Sequence, residues 1–521
     1  MRRALLLIAT LMATLVGCMD TAMDPPTTVN GPPVPDTAPA PRTWRPLTNK
    51  PTGGLGQANM LTDGTVVFTE SANTNWWKLT PDEFGSYENG TFSRIASTAN
   101  YAPLYFSSAT LPDGRLIVEG GEYDAYNAVW TTKGAIYDPV ADKWTAMKPP
   151  TGWTTIGDAS SYVLPTGQFL LTDCCTTTGM ALLDADTLTW KANVGTGKAD
   201  IHDEESWAEL NDGRIITVDA NNNFDHGELY DWNAESWSSA GPTPVHIADT
   251  NLQSQTSHEV GPEMLRPDGT VVVIGGTNHN ALFDSKTETW SVLPDTPGGL
   301  AATDGPGATL PNGDVIYAAS TVQAEPDVFG VPTHFFQVTP DNQLTMLDPT
   351  ATKEPTDEQS ESSYQNAFII LPTGEMLLTL QSPNMYLYTP AAGNSPEAVP
   401  EILAAPTLIG TGPEAPTGSQ VTMYRGRTYT LPVAKMNGIN LGATYGDDAQ
   451  SSTNFPLVRL TNNTSKHVVY ARTHDHSDRS IALDERGTTQ LDVPLTAEPG
   501  LATLEVVANG IASAGITVNV K

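Results

Sequence analysis

The sequence predicts an all-β protein in which a seven-bladed β-propeller is followed by an immunoglobulin-like β-sandwich. The propeller is predicted from a repeated pattern: a short aliphatic strand, a turn of the form Leu-x-Asp/Thr-Gly or Pro-Asp/Asn-Gly, and a second hydrophobic strand. The turns are about 50 residues apart, which is typical of repeats that each form one four-stranded blade. The turn glycines are Gly64, Gly114, Gly167, Gly213, Gly269, Gly313 and Gly374. Because a propeller gathers the first strand of every blade around one channel, residues far apart in sequence are expected to share a site.

The second repeat shows a complete blade, with strands predicted at 104–111, 115–121, 134–137 and 143–147. Its Gly-Gly, Tyr-Asp-Pro and Lys-Trp elements resemble those of a kelch-type repeat. Thr-Trp and Ser-Trp elements recur in later repeats, and we expect each tryptophan to fill the gap between its own blade and the next. The last repeat has no such fourth strand, whereas residues 43–47 (TWRPL) form a strand without a partner before the first repeat. We therefore expect this N-terminal strand to complete the last blade and close the ring.

The repeat pattern stops near residue 400, and alternating hydrophobic strands continue to the end of the chain. This alternation indicates an immunoglobulin-like sandwich without the Cys–Trp–Cys hallmark. The predicted domains are a lipoprotein signal peptide at 1–18, a Pro/Thr-rich disordered linker at 19–41, the propeller at 42–400 and the sandwich at 401–521.

The N-terminal segment has the features of an export signal. Arg2 and Arg3 precede an apolar stretch, and the run Leu15-Val16-Gly17-Cys18 resembles a bacterial lipobox. Lipidation of Cys18 would anchor the mature protein in a membrane, and an ordinary secretory signal is the alternative. We expect an exported protein, lipid-anchored at the outer membrane or cell surface.

The formal net charge of −33 disfavours nucleic acid as a partner, because phosphate binding requires a cationic surface. We expect a solvated acidic surface and a monomer. Apart from Cys18, the cysteines are the adjacent pair Cys174 and Cys175. This pair could form a disulfide, bind a metal or remain as two thiols.

Each innermost strand begins about nine or ten residues before its turn glycine. Counting back this distance from the seven glycines gives equivalent positions in the seven blades. These positions hold Leu55, Tyr105, Asp158, Glu204, Glu259, Asp304 and Tyr364, with His258 and Gln365 as neighbours. A ring of carboxylates repels itself unless a cation, a cationic ligand or protonation relieves it. The pattern predicts a metal or polar-substrate site at the mouth of the channel. The alternative is that these carboxyls bond to strand amides and channel water.

Three segments resemble the galactose oxidase and glyoxal oxidase family. The run Tyr105-Phe-Ser-Ser-Ala-Thr-Leu-Pro-Asp-Gly114 resembles the segment that carries the family's redox-active tyrosine. Ser363-Tyr364-Gln365 resembles the segment that supplies a tyrosine and a histidine to copper. Residues 455–460 and 473–479 resemble the strand pair from which a loop places a second histidine in the channel. The resemblance implies a copper cofactor, with Tyr105 and Tyr364 at the metal.

The family's cofactor is only partly present. Residues 54–58 (GLGQA) contain no cysteine to cross-link the tyrosine, and Gln365 replaces a histidine, the ligand type that Cu(II) prefers. Tyr123 stands near the position of an aromatic that stacks over the cross-link. The remaining metal ligand would come from His467, His474 or His476.

Several functions remain open. The first is a surface-anchored protein that binds a carbohydrate or another polar ligand at the mouth, with or without a divalent cation. The others are an oxidoreductase of the galactose/glyoxal oxidase class, a carboxylate-based hydrolase or lyase, and a protein–protein scaffold. The candidate catalytic residues are Tyr105, Tyr364, Glu204, Glu259 and His258. The candidate substrate-binding residues are Asp158, Asp304, Gln365 and Tyr123, and the candidate metal ligands are His474, His476 and Tyr364.

Overall fold

Seven antiparallel sheets follow one another along the propeller region, and each begins with a strand that ends at one of the predicted turns. The computed structural model describes residues 42–249, 258–322, 329–347, 355, 361–410, 421–445 and 451–521. The predicted signal peptide, the lipidation site Cys18 and nearly all of the predicted linker lie outside these residues. Within them, the fold class predicted from the sequence is confirmed.

The first three blades consist of four strands each. Their strands are Leu55–Met60, Val66–Glu70, Trp76–Thr80 and Thr91–Ile95; Ser107–Thr110, Leu116–Glu119, Gly134–Asp138 and Lys143–Met147; and Ser161–Val163, Phe169–Thr172, Met180–Asp184 and Thr189–Ala192. A small sheet of Pro103–Leu104, Tyr123–Asp124 and Asn127–Ala128 projects from the second blade.

The fourth, fifth and sixth blades continue the pattern. Their strands are Ala208–Glu209, Ile215–Val218, His226–Asp231 and Ser236–Pro242; Glu263–Leu265, Thr270–Ile274, Asn280–Asp284 and Thr289–Leu293; and Pro306–Thr309, Val315–Val322, Phe329–Val338 and Leu344–Met346, with Leu300–Ala301 paired onto the second strand of the sixth blade. Short 3₁₀ helices lie at Pro297–Gly299, Ser363–Gln365 and Pro396–Ala398. None of the helices in the described residues is long and apolar enough to span a bilayer.

The seventh blade contains strands from both ends of the propeller. Its strands Ala367–Ile370, Met376–Thr379 and Met385–Thr389 are completed by Thr43–Pro46, which pairs antiparallel with Met385–Thr389. This is the predicted ring closure. Trp44 in the closing strand is only 2% exposed, and its ring centroid lies 4.7 Å from that of Phe335 and 4.9 Å from that of Tyr388.

The first strands of neighbouring blades contact one another around the ring, which identifies them as the channel-lining strands. Hydroxyl groups tie adjacent blades together: Thr110 donates to the Met60 carbonyl at 2.7 Å, and Ser160 donates to the Glu205 carbonyl at 2.7 Å. The tryptophans do lie between blades, but they bond to the preceding blade and not to the next one as predicted. Trp144 donates its indole N–H to the carbonyl of Ala96 in the preceding blade, at 2.8 Å.

The C-terminal domain is a sandwich of two layers that share the strand Val468–His474. Its strands are Glu401–Ile402, Thr407–Leu408, Val421–Met423, Thr428–Ala434, Leu457–Asn462, Val468–His474, Arg486–Asp492, Gly500–Ala508, Ile511–Ala512 and Ile516–Val520. A further strand, Ala443–Tyr445, leaves the sandwich and pairs antiparallel with Pro306–Thr309, the first strand of the sixth blade. The C-terminal domain therefore contributes one strand to the propeller channel.

Candidate ligand-binding site at the propeller mouth

The two ends of the channel are different surfaces. We call the end with the seven turn glycines the turn face, and the end where the first strands begin the mouth. All seven turn glycines have φ between +76° and +88°. The sandwich covers part of the turn face: a Cβ added at Gly64 would lie 2.6 Å from the Tyr470 ring, and Arg472 donates to the Asp113 carbonyl at 2.7 Å. Among the described residues, these sandwich contacts lie at the turn face, which makes the mouth the candidate end for a ligand.

In four blades, a residue shortly before the first strand has a left-handed backbone conformation. Tyr105, Glu204, His258 and Asp304 have φ values of +51°, +58°, +64° and +51°. This region costs an L-residue roughly 1–2 kcal/mol, and for tyrosine and glutamate it is unusual. Strained backbone that recurs at one place in several blades is typical of a functional site.

A cluster of tyrosines forms one wall of the mouth. The Tyr105 ring lies 6.2 Å from Tyr123, 6.0 Å from Tyr364 and 6.5 Å from Tyr445, centroid to centroid, and is nearly parallel to the Tyr445 ring. Gln381 donates an amide N–H to the Tyr105 hydroxyl at 3.1 Å. The cleft beside these rings holds about 340 Å³, including its open end. It presents both flat apolar faces and hydroxyl groups.

Tyr445 is a site residue that the sequence analysis missed. Its hydroxyl donates to the backbone carbonyl of Tyr364 and lies 3.3 Å from an Asp304 carboxylate oxygen. The side chain is only 3% exposed. It reaches the mouth because Ala443–Tyr445 pairs with the sixth blade, and no local sequence signal predicts this long-range pairing.

Carboxyl groups form a second wall, which begins beside Tyr123. Asp158 is 7% exposed, and burial together with the nearby Glu122 raises its pKa to about 8. Burial also raises the pKa of Glu122 and of Asp203, whose charges further disfavour ionisation of Asp158. These groups therefore tend to keep their protons near neutral pH, when they can donate as well as accept hydrogen bonds.

Glu204 and Glu259 form a hydrogen-bonded carboxyl pair in the same wall. Burial raises the pKa of Glu259 well above its ordinary value, and Asp158 and Glu122 raise it further. Two carboxyl groups can share a hydrogen bond only when one of them holds the proton. His258, the neighbour of Glu259, lies 3.0 Å through Nδ1 from the Ala220 carbonyl oxygen.

The adjacent cysteines lie at the mouth beside Asp158 and are joined in a disulfide. The Asp158 Oδ1 atom is 2.8 Å from the Cys174 Sγ atom and 3.2 Å from the Cys175 Sγ atom. A Cβ added at Gly157 would lie 3.2 Å from the Trp130 ring and 3.3 Å from the Cys175 sulfur, and Trp130 is 44% exposed. The disulfide and an exposed indole therefore lie next to the carboxyl wall.

The C-terminal histidines lie at the turn face. The backbone N–H of His476 donates to the carbonyl of Pro112, in the turn of the second blade, and its Nδ1 lies 3.0 Å from the Thr489 hydroxyl. His474 lies 2.9 Å from Asp475 and 3.3 Å from Asp492. Burial lowers the pKa of His474, but hydrogen bonds to these two carboxylates outweigh burial and raise it.

The structure does not bring His474 and His476 together with Tyr364. The histidines contact the turn that ends a first strand, whereas Tyr364 precedes the start of one, and about five residues of strand span roughly 17 Å. His467, the third candidate, lies 3.1 Å from Glu498 and 3.6 Å from Glu83 at the sandwich edge. The THDHSD pattern thus forms part of the interface between the two domains.

The residues at the mouth do not fit a copper site of the kind the resemblance implies. Gln365 accepts the Ser362 backbone N–H at 3.0 Å and caps the 3₁₀ helix, so its amide group is held against the backbone. Within the described residues, the cleft beside Tyr105 and Tyr364 is lined by no histidine. Imidazole is the ligand that Cu(II) prefers, so the described residues of the cleft lack the donors that such a copper site requires.

A buried ion cluster supports the loop that carries Glu204. Lys198 Nζ lies 2.7 Å from Glu205 and 2.8 Å from Asp219 and also contacts Glu228, and the lysine side chain is fully buried. Asp200, beside this cluster, accepts the backbone N–H groups of the loop 221–222. Because the Lys198 ammonium already occupies the centre of these carboxyl groups, the cluster is a structural support and not a site for a further cation.

Most of the predicted mouth residues therefore do converge. The structure brings together residues from the second to the seventh blades: Tyr105, Tyr123, Asp158, Glu204, His258, Glu259, Asp304 and Tyr364. It adds residues that were not in the predicted set: Glu122, Asp203, Cys174, Cys175, Gln381 and Tyr445. Their roles in a reaction or in binding remain predictions.

Comparison with known proteins gives structural similarity only. No protein-family model matches the sequence, and no curated protein matches it significantly. Similar solved structures include a fungal alcohol oxidase of the AA5 family in complex with copper, with a TM-score of 0.48, 12% identity and coverage of 92% of this chain and 99% of that chain.

Two further similar structures are extracellular domains from B. thetaiotaomicron. One belongs to a protein described as a hybrid two-component system (TM-score 0.44, 11% identity, 92% of this chain and 58% of that chain). The other belongs to a protein described as a one-component system (TM-score 0.44, 11% identity, 92% and 59%). Likenesses this remote give no information about function.

Proposed function

We propose that this chain is an exported, lipid-anchored protein that binds a carbohydrate or a similar neutral polar ligand at the propeller mouth. The observation that carries the proposal is the convergence of tyrosine rings on one wall and buried carboxyl groups on the other. Sugars bind by stacking on aromatic faces while hydroxyl groups exchange hydrogen bonds with polar side chains. A surface anchor would suit recognition of such a ligand outside the cell.

The protonation of the carboxyl wall supports a neutral ligand. Because burial raises the pKa of Asp158 to about 8 and that of Glu259 well above its ordinary value, these groups hold protons at neutral pH. A protonated carboxyl offers one donor and one acceptor, which matches a sugar hydroxyl. A cationic ligand would instead have to displace these protons.

A carboxylate-based hydrolase is the second candidate, because acidic groups with raised pKa values can serve as general acids. The geometry favours a hydrolase less than it favours a binding protein. Glycoside hydrolases hold their two carboxyl groups at about 5–5.5 Å for retention or about 6.5–9.5 Å for inversion. Glu204 and Glu259 are hydrogen-bonded to each other and are therefore closer than either arrangement.

Glu204→Gly should weaken ligand binding without weakening the fold. Glycine adopts positive φ without strain, so the free energy of unfolding should stay equal or rise by about 1 kcal/mol, while the lost carboxyl should reduce affinity at least about tenfold. The measurement is a panel of neutral oligosaccharides tested by thermal shift and calorimetry against both proteins.

The matched control is Glu288→Gly, since Glu288 has φ of +52° but lies on an outer hairpin where it pairs with Arg214. This variant should bind like the wild type. The proposal would be wrong if no neutral saccharide bound the wild type, or if Glu204→Gly bound as tightly as Glu288→Gly.

A further inference from the structure

The adjacent cysteines and Asp158 offer three donor atoms at one point of the mouth, and Asp203 lies beside Cys174. The Asp158 Oδ1 atom and the two sulfur atoms all lie within 4.8 Å of one another. The Asp203 Oδ1 atom lies 3.7 Å from the Cys174 sulfur. Donors separated by on the order of 3.5 Å are what a tetrahedral zinc ion requires, given Zn–S and Zn–O bonds of about 2.3 and 2.1 Å.

The contacts of Asp158 suit thiols or a metal better than a disulfide. A disulfide sulfur carries no hydrogen, so across these distances of 2.8 and 3.2 Å only a protonated Asp158 can donate, and to only one sulfur at a time. Two thiols would donate to the same oxygen, and a cation would be shared by all three atoms. Asp158 is 7% exposed and Cys174 is fully buried, which shields the group from water.

Further carboxyl groups surround the donors. Glu122, Asp203 and Glu259 all lie near Asp158. One oxygen of Glu259 is buried without a hydrogen-bond partner. A divalent ion among these carboxyls would remove their mutual repulsion.

We propose that reduction of the Cys174–Cys175 disulfide creates a zinc-binding site formed by the two thiolates, Asp158 and Asp203. A dithiol reductant transfers two electrons and two protons to the S–S bond, gives two thiols and becomes a cyclic disulfide. Zinc then binds both sulfurs and displaces their two protons. Thiolate ligands select zinc over magnesium or calcium, which prefer oxygen. The site does not depend on the proposed carbohydrate ligand.

The test uses the chain in a Cys18→Ser background, so that only the adjacent pair can react. Zinc is titrated by calorimetry and by competition with a chelator, after reduction with a phosphine or oxidation with diamide. The reduced protein should bind one zinc ion per chain at least about 100-fold more tightly than the oxidised protein. Measured in buffers of different ionisation enthalpy, it should release at least about two protons per ion, from the thiols and the protonated carboxyl groups. Magnesium should not compete.

Cys174→Ser, Cys175→Ser and Asp158→Asn should each weaken zinc binding to the reduced protein at least about tenfold. Asp186→Asn, on an exposed turn of the third blade, is the control and should bind like the parent. Cys175 is partly exposed, so its variant serves if Cys174→Ser fails to fold. Equal zinc affinity of the reduced and oxidised proteins, or full affinity in the folded cysteine variants, would overturn the proposal.

Discussion

Replacing Lys198 by methionine should lower the free energy of unfolding by about 3–5 kcal/mol at neutral pH. Its ammonium group lies between Glu205, Asp219 and Glu228, with no exposure of the lysine side chain to solvent. Removing it leaves three buried carboxyl groups without their cation. The ammonium also lies 5.2 Å from the centre of the Trp237 ring, a cation–π contact that the variant loses.

The loss of unfolding free energy caused by Lys198→Met should grow with pH. Burial raises the pKa of Glu205 to about 8 although Lys198 opposes this, and the pKa values of Asp219 and Glu228 are raised for the same reason. A group whose folded pKa is raised keeps a proton that the unfolded chain releases, so its stabilisation is full below about pH 4.5 and is lost as pH rises to about 8. Without Lys198, the three carboxyl groups avoid mutual repulsion only while they stay protonated. Raising the pH should therefore destabilise the variant more than the wild type.

Urea unfolding of wild type and Lys198→Met at pH 5 and pH 8.5 measures both effects. Lys191→Met is the matched control, because Lys191 pairs with Glu235 at the surface and its side chain is 60% exposed. This control should cost less than about 1 kcal/mol at either pH. A penalty for Lys198→Met that stayed below 1 kcal/mol, or that shrank with rising pH, would contradict the assignment.

Trp44→Ala should destabilise the propeller by about 3–5 kcal/mol, the range typical of a buried large aromatic. The indole packs against Phe335 in the sixth blade and Tyr388 in the seventh, so its loss leaves a cavity where the ring is closed. Chemical denaturation with fluorescence detection gives the free energy.

Leu495→Ala is the comparison for this substitution. Leu495 is 74% exposed on the sandwich, and its truncation should change stability by less than about 0.5 kcal/mol. If Trp44→Ala were no more destabilising than Leu495→Ala, the N-terminal strand would not be the element that closes the ring.

The parts of the fold that could be predicted depend on local patterns. The turn glycines all adopt the positive φ that their motifs require, and counting back from them located Tyr105, Glu204 and Asp304 at the channel mouth. Ring closure by residues 43–46 was also predictable, because the last repeat lacked a fourth strand and the first was preceded by one.

The parts that could not be predicted depend on contacts between distant segments. Tyr445 enters the mouth through strand pairing across more than 130 residues, which no local periodicity signals. The alternation of His474 and His476 suggested one face of a strand, but their strand ends at the turn face, where His476 is held by Thr489 and Pro112. The repeat pattern could not place the adjacent cysteines at the mouth. The counted positions all precede a first strand, whereas the cysteines lie in a loop that follows the second strand of the third blade.

Hydrogen–deuterium exchange with and without the tightest-binding oligosaccharide tests most directly whether one mouth gathers residues from many blades. Added protection is expected in short segments that are distant in sequence, at 103–106, 157–159, 203–205, 258–261, 303–305, 363–366 and 443–445. The turn glycines and the sandwich strands should exchange unchanged. Protection confined to a single blade, to the turn face or to the sandwich would contradict a shared site at the mouth.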